Sequence, residues 1–192
     1  MRKLIVTMWT TLDGFIADAN GEMDWLLGDD QLSDYEIALV SNADTLLFGR
    51  KTYQDFLGYW PNVPRNPDAA AWEKTYAEKI NAMTKVVLST TLDKAEWDPS
   101  QIRRSIDRDE IKELKDEPGA NILIYGSASV VQQLTNLGLI DEYQLVVHPV
   151  LLGGGKRLFD DIKDRVPLKL VESKPFHSGA LLLTYRSANE DR

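Results

Sequence analysis

Along the chain, apolar and polar positions alternate between a strand-like and a helix-like period. Leu4 to Trp9 is an apolar run rich in strand formers, and a loop from Asp18 to Asp30 follows it. Ser33-Asp34-Tyr35-Glu36 has the form of a capping box, after which Leu32, Tyr35 and Leu39 share one helical face. Thr45 to Gly49 reads as a buried strand that stops at glycine, and a helix with Tyr53, Phe56 and Leu57 as its apolar positions starts at once. Pro61, Pro64 and Pro67 make Tyr59 to Asp68 a loop. Trp72, Tyr76 and Ile80 then predict a helix, Lys85 to Ser89 a strand, and Asp109 to Lys115 a helix ended by Pro118-Gly119. Asn121 to Gly126 is a further buried strand, with a helix through Val130, Val131 and Leu134 behind it.

Beyond Gly138 only strands are predicted: Glu142 to His148, Leu168 to Lys174 and Ala180 to Tyr185, the last two joined by a turn at Ser178-Gly179. Alternation followed by strands predicts a mixed, mostly parallel sheet with an antiparallel C-terminal edge. Residues 1–192 are expected to form a single α/β domain. In such sheets ligands bind where strands end and helices begin.

Composition narrows the chemistry. Hydrophobic residues make up 43% and charged residues 27%, as in ordinary globular proteins. No apolar run is long enough to span a bilayer, and the N-terminal segment lacks the form of a signal peptide, so no membrane partner and a cytoplasmic location are expected. A formal charge of −8 argues against a nucleic-acid partner. The absence of cysteine removes thiolate metal sites, and His148 and His177 lack the spacing of a zinc site, so no metal is expected.

Three strand ends carry the candidate chemistry. At Gly49-Arg50-Lys51-Thr52 a strand stops and a helix opens with two cations and a hydroxyl, a natural seat for phosphate. Leu88-Ser89-Thr90-Thr91 ends a strand in three hydroxyls. Gly126-Ser127-Ala128-Ser129-Val130 joins a strand to a helix through small residues that let a pyrophosphate approach the backbone. Each alone also reads as an ordinary turn or helix start. Together they point to a dinucleotide, although neither a Gly-x-Gly-x-x-Gly fingerprint nor a P-loop is present, because Arg157 follows Gly153-Gly154-Gly155-Lys156.

In order, Thr11-Leu12-Asp13-Gly14-Phe15-Ile16-Ala17, Phe48-Gly49-Arg50-Lys51-Thr52-Tyr53, Val87-Leu88-Ser89, Ile124-Tyr125-Gly126-Ser127-Ala128 and Leu139-Ile140-Asp141-Glu142 running on to His148-Pro149-Val150-Leu151-Leu152-Gly153-Gly154-Gly155 resemble the dihydrofolate reductase superfamily. The reductase domain of the bifunctional riboflavin-biosynthesis enzymes and its free-standing relatives is the nearer likeness. The resemblance implies a three-layer α/β/α sandwich and NADPH as cofactor. By position, Arg50, Lys51 and Thr52 would hold the 2′-phosphate and pyrophosphate. Ser89 and Thr90, beside Leu88, would lie near the adenosine phosphate. Gly126, Ser127, Ala128, Ser129 and Val130 would pass under the pyrophosphate, and Ile16 and Ala17 would line the nicotinamide. Asp18 to Asp24 would correspond to a loop closing over it. Relatives commonly dimerise through the closing strands, so a homodimer is expected.

The proton donor is the open point. Counted from Trp25, Asp30 falls where folate reductases place a carboxylate, yet Asp29 and Asp30 equally suit a helix start. Trp25, Phe56 and Trp60 are candidate walls for a ring-shaped small-molecule substrate, while Trp9, inside a strand, reads as core. Asp24, Asp29, Asp30, Asp34 and Glu36 make the segment acidic, which favours a neutral or cationic heterocycle or carbonyl compound over a ribose phosphate. Three functions follow: an NADPH-dependent reductase of a small heterocyclic, carbonyl or imine substrate, a nucleotide-binding regulatory module without turnover, and a stand-alone riboflavin-pathway reductase.

Overall fold

A computed structural model describes residues 1–188. In chain order the elements are β1 (Leu4–Thr11), β2 (Phe15–Ala17), α1 (Asp30–Ser41), β3 (Ala43–Gly49), α2 (Arg50–Tyr59), a 3-10 segment (Trp60–Arg65), α3 (Ala71–Ala82), β4 (Thr84–Leu88), β5 (Ser100–Arg103), α4 (Arg108–Asp116), β6 (Asn121–Ile124), α5 (Ala128–Asn136), β7 (Glu142–His148), β8 (Lys156–Arg157), β9 (Leu168–Pro175) and β10 (Leu181–Ser187). Eight strands form one sheet in the order β5-β4-β3-β6-β1-β7-β10-β9. The first six run parallel, and β10 and β9 close the edge antiparallel. The mixed sheet and its antiparallel C-terminal edge are those the sequence pattern predicts.

The period of two sends successive strand residues to opposite faces. Leu4, Val6, Leu47, Ile122 and Ile124 pack with Ile111 of α4 and Val131 and Leu134 of α5. Ile5, Leu46, Phe48, Val87 and Leu123 face the other way, against Leu39 and Val40 of α1, Tyr53 of α2 and Tyr76 and Ile80 of α3. Helices thus cover both faces, and the inner parallel strands are predominantly apolar, as strands buried on both faces are.

Three local features depart from the expectation. Helix α1 starts at Asp30, not at Ser33. Asp29 is its N-cap, accepting from the Leu32 amide at 2.8 Å and the Ser178 amide at 2.6 Å. Ser33 therefore lies inside the helix, and Glu36 is released from any capping role. The proline-rich stretch is wound into the 3-10 segment around buried Val63. Finally, β2 pairs antiparallel with the two-residue β8, a contact no local pattern announces.

Candidate active site

Strands β1, β3, β4 and β6 are parallel, so their C-terminal ends open on one edge of the sheet. The Gly49 amide donates to the Gly126 carbonyl at 2.9 Å, tying the ends of β3 and β6 together. A Cβ on Gly49 would lie 2.6 Å from Ser127 Oγ, so any side chain here would displace Ser127. Gly126 sits at φ 109, a conformation open to glycine, and the Gly126–Ser127 peptide bond is cis. Helices α2 and α5 therefore begin side by side, with N-caps Gly49 and Ser127 and no side-chain cap on either. Their first-turn amides remain available to an anion.

These helix starts line a cavity of about 510 Å³. Gly49, Arg50, Lys51, Leu88, Ser89, Thr90, Ser127, Ser129 and Val130, all singled out in the sequence, reach it. Ala128 does not: it is buried in the core beneath α5. The Ser89 hydroxyl accepts from the Thr91 and Leu92 amides at 3.2 and 2.9 Å, which shapes the turn after β4. Arg104 and Lys156 complete the wall. Arg104 donates to the Ser89 and Leu92 carbonyls at 3.1 and 2.7 Å. Among the described residues, Arg50, Lys51, Arg104 and Lys156 form no ion pair with a carboxylate. A locally cationic pocket thus sits on a chain of net charge −8.

A second chamber, of about 350 Å³, adjoins the first and shares Lys51, Ser127 and Lys156 with it. Ile16 and Ala17 of β2, Thr52 and Gly126 lie along this chamber, and Phe56 and Trp60 form part of its wall with Trp9, Trp72, Tyr76 and Tyr125. Gly21, Met23 and Leu26 bring the loop after β2 over it. That loop is fastened where the Leu27 amide donates to His148 Nδ1 at 3.2 Å. His148 is buried against Trp9 and Trp25, and burial lowers its pKa, which keeps the ring neutral and able to accept. The loop after β7 is held by Asp13, whose carboxylate accepts from the Gly153 amide at 2.8 Å and from Leu152. The Thr11 hydroxyl, then these amides, lower Asp13 to about 2.

Asp30 lies in the exposed first turn of α1, away from the chamber, and Trp25 packs on His148 instead of lining it. The carboxylate that does enter is Glu36. It is buried, with Trp9 Nε1 donating to Oε1 at 2.9 Å and the Tyr125 hydroxyl donating to Oε2 at 3.4 Å. Burial raises it to about 7 against these two bonds, so near neutral pH it can hold or release a proton. Thr7 Oγ1, also at the chamber wall, is buried with no hydrogen-bond partner. The signal for Glu36 was present in the sequence, as a carboxylate four residues after Leu32 and three before Leu39 on the apolar face of α1. Trp9, read as core, is both wall and donor. Lys156 carried no signal, because only the pairing of β2 with β8 brings it here.

The geometry can be set beside known proteins. The sequence matches the RibD C-terminal domain family over residues 2–182. The chain belongs to that family. YyaP, an uncharacterized protein of Bacillus subtilis (strain 168), is 38% identical over 184 residues, covering 96% of this chain and 94% of its own. The crystal structure of a putative riboflavin biosynthesis protein from Shewanella sp. PV-4 superposes with a TM-score of 0.77 at 24% identity, covering 97% and 99% of the two chains. Dihydrofolate reductase from Enterococcus faecalis, complexed with NADP(H) and RAB-propyl, gives 0.64 at 18% identity and 97% coverage of each chain. The architecture is therefore that of the dihydrofolate reductase-like fold. A diaminohydroxyphosphoribosylaminopyrimidine deaminase/5-amino-6-(5-phosphoribosylamino)uracil reductase from Thermotoga maritima superposes with a TM-score of 0.68 at 18% identity, covering 97% of this chain and 57% of its own. No helix among the described residues is long and apolar enough to cross a membrane. Nor do these residues hold a group of three or more potential metal ligands of the His, Cys, Asp or Glu type.

Proposed function

We propose that this single-domain chain is an NADPH-dependent reductase of a small organic molecule, a heterocycle, carbonyl compound or imine. The observation that carries the reading is the continuity of the two cavities. A cationic pocket with two uncapped helix starts opens, past Lys51, Ser127 and Lys156, into an aromatic chamber that holds a buried carboxyl, Glu36. A dinucleotide phosphate fits this donor set. Arg50 and Lys51 would hold the 2′-phosphate, Ser89, Thr90 and Arg104 the adenosine side, and the first-turn amides of α2 and α5 with Thr52, Ser127 and Ser129 the pyrophosphate. Ile16, Ala17 and Gly126 would flank the nicotinamide. When bound, the dinucleotide supplies the hydride.

The chain's own residues do the rest. Glu36 holds a proton at its carboxyl, oriented by Trp9 and Tyr125, for the acceptor atom that gains charge. Met23, Leu26 and Trp60 screen the chamber from water, which strengthens each electrostatic contact inside. Family membership favours a second reading, a phosphorylated aminopyrimidine of the riboflavin route. The buried carboxyl of Glu36 opposes an anion beside it, the lining cations Lys51 and Lys156 standing at the seam with the phosphate pocket.

Tryptophan fluorescence titration tests the cofactor assignment. Arg50→Ala with Lys51→Ala should weaken NADPH about ten- to a hundredfold, since a charge-assisted bond contributes about 1.5–3 kcal/mol. NADH, without the 2′-phosphate, should lose far less; equal losses, or no NADPH binding by the parent protein, would refute the assignment.

A further inference from the structure

We infer that His148 is an acid-sensitive latch on the loop between β2 and α1: a proton on its Nδ1 releases the Leu27 amide and lets residues 23–28 swing away from the aromatic chamber. The device belongs to the fold of the free chain and stands apart from the reductase reading. His148 ends β7 opposite Thr11 of β1 and is fully buried. Its ring centroid lies 5.6 Å from that of Trp9 and 5.3 Å from that of Trp25. Because Nδ1 accepts from the Leu27 amide at 3.2 Å, the proton of the neutral ring is on Nε2.

The loop is anchored in three places that differ in their response to acid. At its start the Asp18 carboxylate accepts from the Asn20 and Glu22 amides, each at 2.8 Å. At its end Asp29 accepts from the Leu32 and Ser178 amides. The Glu22 amide, opposed by partial desolvation, keeps Asp18 below the usual carboxylate range. Burial raises Asp29, but the Ser178 and Leu32 amides outweigh it and hold the group at about 2. Both carboxylates therefore stay ionised down to about pH 5. The anchor between them is a neutral imidazole, which in solvent titrates at about 6.5. Protonation turns its acceptor nitrogen into a donor facing the Leu27 N–H. Acid thus frees the middle of the loop while α1 keeps its cap.

No charged group pairs with the ring. The turn after β1 carries Asp13, the loop Asp24 and Asp29, α1 Glu36, and the end of β9 with the turn beyond it Lys174 and His177. Asp13 and Asp29 are engaged by backbone amides, Glu36 by the Trp9 indole, and Lys174 lies 5.4 Å from the centre of the Phe176 ring. Asp24 and His177 are exposed. Among the described residues His148 forms no ion pair. Burial disfavours the charged ring while the loop is closed, and an open loop relieves it. The closed form is poised to open, because Trp25 Nε1 and His148 Nε2 are both buried without a partner in the chain. Met23 and Leu26, which reach over the chamber, move with the freed segment, joined by the Leu26 amide donating to the Met23 carbonyl at 3.3 Å.

Exchange of the Leu27 amide in the free, full chain, followed by NMR and corrected for its intrinsic rate, reads the latch directly. Opening linked to one proton should cut protection about tenfold from pH 7.5 to pH 5.5, with a midpoint shared by the His148 ring resonance. The Leu32 amide, held by Asp29, should keep its protection. His148→Asn sets an amide oxygen where Nδ1 lies and does not titrate, so Leu27 should stay protected at both pH values. His148→Leu offers no acceptor, and Leu27 should exchange at least tenfold faster than in the parent at pH 7.5.

Protection of Leu27 that ignores pH in the parent, a pH response that survives in His148→Asn, or an equal loss at Leu32 would overturn the latch. A surviving response would belong to Glu36, which titrates in the same range and is retained in that variant. Should neither variant fold, the parent still decides: Leu27 losing protection while His148 stays neutral, or keeping it once the ring is charged, would overturn the inference. Neither readout uses a dinucleotide, so a failure of NADPH binding would overturn the proposed function and leave the latch standing.

Discussion

Replacing Glu36 with glutamine should stabilise the protein at alkaline pH, even though it removes the proposed proton source. The carboxyl is 4% exposed, and burial raises it from 4.5 to about 7. Below pH 4.5 the folded and unfolded chains both hold the proton, and the group exacts no penalty. Between 4.5 and 7 the unfolded chain releases its proton first, so stability falls as pH rises, and above about 7 the whole penalty stands. At about 1.4 kcal/mol per decade the penalty is about 3 kcal/mol. Glutamine keeps the shape of the side chain, and its amide oxygen still accepts from Trp9 Nε1. Urea denaturation of parent and variant at pH 4.5 and pH 8 isolates the contribution of this carboxyl. The variant should gain about 3 kcal/mol on the parent between the two pH values, a midpoint change of about 1–3 M. Stabilities of parent and variant that run parallel across this range would refute the argument that burial sets the proton affinity of Glu36.

Other expectations follow from specific contacts. A Cβ on Gly155 would lie 2.2 Å from the Ala17 carbonyl oxygen at φ 130, so Gly155→Ala should loosen the pairing of β2 with β8 and weaken NADPH at least tenfold; unchanged affinity in a titration would show that Lys156 is held by other means. Lys85 is fully buried and donates to the carbonyls of Asn81, Met83 and Asp98 at 2.7, 2.8 and 3.1 Å. Lys85→Met leaves these acceptors without a donor and should cost about 2–4 kcal/mol, read as a lower urea midpoint; an unchanged midpoint would refute it. We also propose that the half-exposed face carrying Leu145, Val147, Leu181, Leu183 and Tyr185 on β7 and β10 is covered in a homodimer. Light scattering should then give twice the chain mass for the parent and a monomer for Leu183→Glu; a monomeric parent protein would dispose of the proposal.

The inner strands were legible because they are buried on both faces. Thr45 to Gly49 and Asn121 to Ile124 read as continuous apolar runs, and the change to strands alone after Gly138 announces the antiparallel edge. The phosphate pocket was legible for a related reason: strand-end glycines and helix-start cations are adjacent in sequence. The chamber was not, since it is assembled from rings on five separate elements. Asp30 and Glu36 show the difference. Two adjacent acids before a helix look alike until Ser178, remote in sequence, selects Asp29 as the cap and leaves Asp30 in solvent. The reading of Ser33 as a cap then assigned Glu36 a local partner, when its true partners are Trp9 on β1 and Tyr125 just past the end of β6.

The placement of β1 has a consequence for synthesis. It lies between β6 and β7, and its register partners begin at Ile122 and Glu142. A ribosome adding 5–20 residues per second delivers the second neighbour on the order of ten seconds after β1 emerges. Through that interval Leu4, Ile5 and Val6 travel in the nascent chain as an unsatisfied hydrophobic edge, guarded by the charges of Arg2 and Lys3. The centre of the sheet is thus made well before its second neighbour and is closed only when β7 arrives.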